Sequence, residues 1–445
     1  MADRKTTEKQ GLIRQLFILT NAGAGCGILC GTACVLFAWL TSLCDGTFHR
    51  NEKLLFILPA AGLVIVTLYD RWRKDEELSM NGLFRMSRGE EKISVWIVPL
   101  IAFSTCAAYL FGGSVGRVGS ALQIGGGLAM WLGGWMQKLE GRMKKLGGRD
   151  TSMDRQLFFA CGIACGFTGI LNAPIAGAIF GAEILILRGK QWICLLATVI
   201  ASFITWGISR LAGVSYVDFH HVLTGGVTEA GSTSDIAAAA ALVRTGMTAE
   251  VVGKVVLIAL VAMAAGRSFC LARRVTTAGF ELISNPWIRV LVGTGIVICV
   301  TVLIGNADQN GIGFVYVDHV LDGRSAMLAF LWKLLLTTMT LGCGIRGGEI
   351  APTVFIGATG CFAAGCLIGL NPSLAAAVGI VGALASVTNC PIAIWIYGLE
   401  AIDASPEMAL YFGIAACIAH FLSGTGGLYA EQPAQNQWLK PAKIR

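Results

Sequence analysis

Long uncharged stretches separated by short charged clusters set the pattern of the chain. They run over 15–44, 54–69, 93–116, 118–137, 156–182 and 191–209, and in a second series over 255–266, 290–307, 334–345, 350–399 and 408–430. A straight membrane-spanning helix needs about 20 apolar residues. Several of these stretches are too short, and others are too broken by Gly and Pro, to be one such helix. Irregular backbone at membrane depth survives only where protein or water surrounds it. The pattern therefore predicts an all-α polytopic membrane protein built of broken, tilted and re-entrant helices around a cavity near the midplane, as in a transporter or channel.

Composition narrows this reading. Hydrophobic residues make up 55% of the 445 positions and charged residues only 14%. The net charge of +7 is a modest excess that orients helices and does not point to nucleic acid. The 15 cysteines lie in apolar stretches without a CxxC pair, and His49, His220, His221, His319 and His420 are scattered, so neither a disulfide framework nor a metal site is expected. The N-terminal apolar run is too long and too Gly-rich for a cleaved signal peptide. No cofactor is expected.

Loop charge gives the orientation. Arg4, Lys5, Lys9 and Arg14, then Arg71 to Lys74, then Lys138, Arg142, Lys144, Lys145, Arg149 and Arg155 mark a cytoplasmic face. The stretch 211–243 carries Asp218, Glu229 and Asp235 without Lys or Arg and reads as external. Arg267, Arg273 and Arg274 follow the first apolar segment of a second, inverted half. The expected organisation is a cytoplasmic segment 1–14, a membrane repeat 15–210, an extracellular connection 211–247, an inverted repeat 248–430 and a cytoplasmic tail 431–445. Both termini are then cytoplasmic, with the chain in the cell (inner) membrane.

The repeat is visible in the residues. Asn172-Ala-Pro-Ile-Ala-Gly-Ala-Ile-Phe-Gly-Ala-Glu183 returns as Asn389-Cys-Pro-Ile-Ala-Ile-Trp-Ile-Tyr-Gly-Leu-Glu400. A weaker match sets Gly112, Gly116 and Ile124-Gly125 against Gly344, Gly348 and Ile356-Gly357, and Asn81-Gly82 against Asn310-Gly311. Glu183 and Glu400, at equivalent positions, suggest a shared packing or helix-end role.

Arg117 sits among glycines just before an apolar helix expected to begin near Ser120, and Arg346-Gly-Gly-Glu-Ile-Ala-Pro352 repeats the arrangement. A helix start offers unpaired N–H groups and the positive end of a dipole, which holds an anion without a full buried charge. Two starts from opposite halves aimed at one place make an anion site. Read singly, each segment is equally a set of helix-packing glycines with a snorkelling arginine.

Gly116-Arg-Val-Gly-Ser120, Gly347-Gly-Glu-Ile-Ala-Pro352, the Asn-Ala-Pro-Ile-Ala stretch and Tyr429 together resemble the CLC family of anion channels and proton-coupled anion exchangers over nearly the whole chain. The resemblance implies a homodimer with one anion pathway per subunit. Ser79-Met-Asn-Gly-Leu83 stands where chloride members carry Gly-Ser-Gly-Ile-Pro. With Glu349, and with Ile184 in place of a second acid after Glu183, it resembles the fluoride-transporting bacterial branch. The Ser or Thr often found two residues after that Glu is Ala351 here.

The resemblance implies an anion pathway formed by Met80, Asn81, Gly82, Gly116, Arg117, Val118, Gly119, Ser120, Gly348, Glu349, Ile350, Ala351 and Tyr429, with fluoride and protons as transported ions. Fluoride is small and strongly hydrated, so its site must supply hydrogen bonds as water is stripped away. Asn81 offers amide N–H groups, Tyr429 a hydroxyl, and the helix starts backbone N–H groups. Ordinary readings exist for each residue: Met80 as core filler, Asn81 as a helix cap, Tyr429 as an interfacial aromatic. Glu349 is the candidate for proton coupling, because an ionisable side chain inside a membrane is costly. Its plain alternative is a carboxyl bonded to backbone, or paired with Arg346 or Arg117.

One position departs from the family pattern. Val118 stands where the family carries the gating glutamate, which competes with the anion and carries the proton. The expectation is fluoride flux uncoupled from protons, or impaired transport; the alternative is a chloride or broad-anion channel or exchanger. An intramembrane enzyme is disfavoured, since no HExxH, no GxSG with a partner histidine and no aspartate pair at membrane depth is present.

Overall fold

The computed structural model describes residues 2–72, 79–91, 94–145, 155–185, 191–213, 248–313, 316–317, 327–402, 405–424 and 427–432. Side chains at 2–15, 139–145 and 191–193 are left undescribed. Most of the connection 211–247 and of the tail 431–445, and with them Asp218, Glu229, Asp235, Lys74 and Arg149, lie outside the described residues.

Fifteen α-helices make up the described fold. The first half holds α1 (Ala2–Arg50), α2 (Leu58–Trp72), α3 (Met80–Arg88), α4 (Ile97–Leu110), α5 (Val118–Lys145), α6 (Arg155–Leu171), α7 (Pro174–Glu183) and α8 (Gln191–Leu211). The second holds α9 (Ala249–Glu281), α10 (Pro286–Ile304), α11 (Ala329–Gly342), α12 (Ile350–Ile368), α13 (Pro372–Thr388), α14 (Pro391–Ala401) and α15 (Pro406–Ser423). Seven described helices are long and apolar enough to cross a membrane, and α4, α6, α11, α13 and α14 are shorter apolar helices. The chain is an all-α membrane protein. The uncharged run 350–399 resolves into three helices, and 156–182 into two.

Local chemistry explains the breaks. Asn172 and Asn389 both take φ 54°, and they are the non-glycine residues of positive φ among those described. Asparagine tolerates this left-handed conformation, which ends a helix and reverses the chain. Pro174 and Pro391 then open α7 and α14 in the first turn, where a missing N–H costs nothing. The exposed N–H groups of those turns are taken by carboxylates from the other half. Glu400 accepts from Ile175 N at 3.0 Å and Ala176 N at 2.8 Å. Glu183 accepts from Ile392 N at 3.2 Å and Ala393 N at 2.8 Å. The two glutamates thus cap each other's repeat, the shared helix-end role expected of them.

The core lies where α5 meets α6 and α12 meets α13. Every residue of α6 from Leu157 to Ile170 is buried, as is every residue of α13 from Leu374 to Thr388. A β-carbon at Gly125 would lie 2.1 Å from Gly162 O, and one at Gly357 would lie 2.5 Å from Gly379 O. Only glycine lets these backbones approach so closely, the usual way that membrane helices gain packing contact. All 15 cysteines are free.

One charge assignment is corrected. Arg267, Arg273 and Arg274 belong to α9, which continues to Glu281, and not to a loop. Partners inside the protein permit this. Arg273 Nε donates to Glu349 at 2.9 Å, and Arg274 donates to Gly427 O at 3.3 Å.

Candidate anion site

Helices α5 and α12 begin head to head. Gly116 N donates to Gly348 O at 2.7 Å, and Gly348 N donates to Gly116 O at 2.7 Å, so the two approach loops form one isolated antiparallel bridge. A β-carbon at Gly116 would meet Gly348 O at 2.9 Å, and one at Gly348 would meet Gly116 O and Gly119 N at 2.7 Å. The glycines are there because backbone must touch backbone.

Helix α4 pins both loops. Tyr109 donates from its hydroxyl to Val115 O at 3.1 Å, and Ser104 donates to Arg346 O at 2.7 Å while accepting from Arg346 N at 3.1 Å. Thr105 and Ser120 share a hydroxyl hydrogen bond of 2.8 Å. Helix α5 starts at Val118, two residues earlier than the sequence suggests, because Arg117 O already accepts from Ala121 N at 2.9 Å. The N–H groups of Val118, Gly119 and Ser120, and those of Ile350 and Ala351 opposite, have no carbonyl one turn earlier within their own helix. Pro352 has no N–H to leave unpaired. Positive helix ends from both halves therefore meet at the bridge.

Beside the bridge lies a cavity of 390 Å³. Six of the sequence-derived candidates line it: Met80, Asn81, Gly119, Gly348, Glu349 and Tyr429. Gly82, Gly116, Arg117, Val118, Ser120, Ile350 and Ala351 do not. Gly82 is held by its N–H to Ser79 Oγ at 3.3 Å, which makes Ser79 the cap of α3 and releases Asn81 from that role. Asn81 lines the cavity; its Oδ1 accepts from Glu431 N at 3.3 Å, leaving the amide N–H₂ without an acceptor among the described residues. Tyr429 is buried, packs against Phe84 with ring centroids 6.0 Å apart, and turns a hydroxyl with no described protein partner to the cavity.

Glu349 is partly buried and paired with Arg273 at 2.9 Å. This corrects the expected partners. Arg117 donates to Ser42 Oγ at 2.9 Å on α1, and the Arg346 guanidinium lies 5.7 Å above the Tyr69 ring. Arg273 also donates to Thr277 on the same face of α9, one turn later. Gln123, Arg273, Arg274, Thr277, Glu281 and Arg346 also line the cavity but were absent from the sequence-derived site. The available signal was the spacing of Arg273, Thr277 and Glu281 at i, i+4 and i+8, which puts three polar side chains on one helix face.

Val118 opens α5 with a fully buried side chain that does not reach the cavity. An isopropyl group there neither accepts a hydrogen bond nor takes a proton. The arrangement can hold an anion between two helix starts, an amide and a phenol, beside Glu349, whose protonation decides whether it donates or only accepts, with Glu281 in the same wall.

Residues 61–424 match the family described as voltage gated chloride channel. The chain is 28% identical over 415 residues to a chloride/fluoride channel protein of Pseudomonas syringae pv. tomato, covering 91% of this chain and 84% of the relative. Among solved structures, a CLC-type fluoride/proton antiporter superposes with a TM-score of 0.80 at 24% identity, covering 94% of this chain and 98% of that one. A slow cyanobacterial Cl⁻/H⁺ antiporter superposes with a TM-score of 0.66 at 16% identity, covering 92% and 94%.

Proposed function

As the chain belongs to the voltage gated chloride channel family, we propose that the anion it carries is fluoride, moved out of the cytoplasm. The observation that carries this reading is the cavity itself, where Asn81, Tyr429 and Glu349 face the bridge between two helix starts. Fluoride pays more to lose water than chloride does, and a site that presents several hydrogen-bond donors offsets that cost. The chloride/fluoride name of the Pseudomonas relative and the fluoride/proton antiporter with the same fold support it.

Transport on this reading is uncoupled from protons, because Val118 occupies the position of the gating glutamate. Protons act through Glu349 instead. Paired with Arg273 the carboxylate only accepts hydrogen bonds; protonated, it releases Arg273 and donates to the anion. The working unit is a homodimer in the inner membrane with both termini in the cytoplasm, a placement supported by the basic residues around 71–74 and 138–155.

A second reading, chloride or any small anion, draws on Arg273, Arg274 and Arg346 in the same cavity wall. Arginine charge attracts anions without measuring their size. Efflux from liposomes, followed by fluoride and chloride electrodes with simultaneous pH recording, separates the readings. Fluoride should leave faster than chloride, with no stoichiometric proton uptake, and Val118→Glu should create such uptake. Equal rates for the two anions would favour the broad-anion reading, and stoichiometric proton uptake by the unmodified protein would end the uncoupled one.

A further inference from the structure

A second cavity, of 710 Å³, lies away from the anion site at the far end of α5. Its wall includes Trp131, Trp135 and Lys138 from α5, Arg155 from the start of α6, and Glu90 and Glu91 just past the end of α3. Trp131, Trp135 and Lys138 follow at i, i+4 and i+7 and therefore share one helix face. Lys138 lies about 30 Å from Val118 along the helix axis at 1.5 Å per residue, beyond the roughly 15 Å half-thickness of hydrocarbon even after tilting. The cavity is at headgroup level.

Its chemistry is divided. Neither Lys138, Arg155 nor the two indole N–H groups make an ion pair or hydrogen bond among the described residues. Both tryptophans are exposed, at 46% and 54%. The acidic wall is differently occupied. Both oxygens of Glu90 are taken by Arg88, at 2.7 and 3.0 Å. Glu91 Oε1 pairs with Arg85 at 3.1 Å, while Glu91 Oε2 is buried without a partner. One pocket thus offers two unengaged cations and two interfacial aromatic rings, with the unpartnered carboxylate oxygen of Glu91 just beneath its wall.

We propose that this cavity binds the headgroup of an amine-bearing phospholipid, phosphatidylethanolamine. Lys138 and Arg155 take the phosphate, the partly exposed Glu91 carboxylate turns its buried oxygen outward to take the ammonium, and the Trp131 and Trp135 rings border the glycerol and first acyl carbons. A primary ammonium has N–H donors to give to Glu91 Oε2; a quaternary choline has none, and a glycerol headgroup brings no positive charge. Tryptophan at this depth suits the lipid interface. The proposal rests on the orientation given above only for which leaflet supplies the lipid, and its test does not depend on which anion is transported.

The test is native mass spectrometry of the full-length protein in detergent, offered equal amounts of phosphatidylethanolamine, phosphatidylcholine and phosphatidylglycerol with the same acyl chains. Phosphatidylethanolamine should be retained most. Lys138→Ala with Arg155→Ala should lower its retention by roughly a hundredfold or more, the loss expected from two charge-assisted hydrogen bonds. Glu91→Gln should level phosphatidylethanolamine with phosphatidylcholine. Because Lys138 and Arg155 have no described protein partners, their double variant should keep the wild-type elution volume and unfolding midpoint. Equal retention of all three lipids, or unchanged retention in the double variant, would overturn the proposal, as would phosphatidylglycerol binding as strongly as phosphatidylethanolamine. Displacement of the lipid by inorganic phosphate would identify a free-phosphate site and also overturn it.

Discussion

Gly348→Ala tests whether the head-to-head junction governs transport. The added methyl would sit 2.7 Å from Gly116 O and from Gly119 N, both backbone atoms that no rotamer change can remove. Ordinary van der Waals contact begins at 3.4 Å, so α5 and α12 must separate by about 0.7 Å. That carries the two reciprocal 2.7 Å bonds toward 3.4 Å, past the 2.7–3.2 Å range of a sound N–H···O bond. Losing both costs about 1–3 kcal/mol, and overpacking adds about 1–3 kcal/mol. The junction is therefore weakened by roughly 2–6 kcal/mol in sum.

The anion feels the same shift. Two helix starts 0.7 Å further apart cannot both keep their N–H groups within reach of an ion as small as fluoride. Loss of one charge-assisted bond is worth about 1.5–3 kcal/mol, which lowers occupancy, and with it efflux at limiting fluoride, by roughly tenfold or more. Gly295→Ala is the control: it lies in α10 with nothing within 4 Å of the new carbon, and alanine there should stabilise the helix by roughly 0.5–1 kcal/mol. Efflux from liposomes and thermal unfolding in detergent read both effects. If Gly348→Ala matches wild type in rate and midpoint, the junction does not hold the anion and the argument from helix starts fails.

Three further outcomes are expected. Glu349→Gln, which carries no titratable proton and cannot pair with Arg273, should make fluoride efflux insensitive to pH where wild-type efflux rises on acidification; a variant that keeps the pH response would remove Glu349 from the proton role. Glu183→Gln and Glu400→Gln should each destabilise the fold by about 1–3 kcal/mol and to a similar degree, because each carboxylate takes two N–H groups of the other repeat; chemical unfolding in detergent that finds one severe and the other neutral would break the equivalence. At Asn172, φ 54° should make Asn172→Gly nearly neutral and Asn172→Val costly by about 1–2 kcal/mol, measured in the same unfolding assay.

Features that depend on one residue type at one backbone position could be read from the chain. Asn172-Ala-Pro174 and Asn389-Cys-Pro391 spell a left-handed helix end followed by a first-turn proline, and their recurrence with Glu183 and Glu400 exposes the repeat. Gly116 and Gly348 were legible for the same reason: close backbone approach excludes every other residue. Partnerships across long sequence distances were not legible. Nothing near Glu349 names Arg273, which arrives from α9 only because that helix packs beside the start of α12. Asn81 could not be told from a helix cap until Ser79 was seen to occupy that role. The charges at 267–274 could be placed after the apolar segment but not inside the same helix, because a helix that carries arginines past an apolar run has the same hydropathy as one that ends there.

The position of Val118 joins these observations into one constraint. Its N–H stands at the start of α5, but its side chain is buried away from the cavity, and Arg117 beside it is bound to α1 at Ser42. On the fluoride reading, the carboxyls that the anion meets are Glu349 at the bridge and Glu281 in the same wall, and both are on the cavity side. Antiport needs a proton to be taken up on one side of the junction and released on the other. Two carboxyls that both face the one cavity, with Glu349 tied to Arg273, can load and unload only there. On that reading acid changes how readily the site accepts fluoride without carrying protons through, and pH acts as a control on occupancy and not as a driving force.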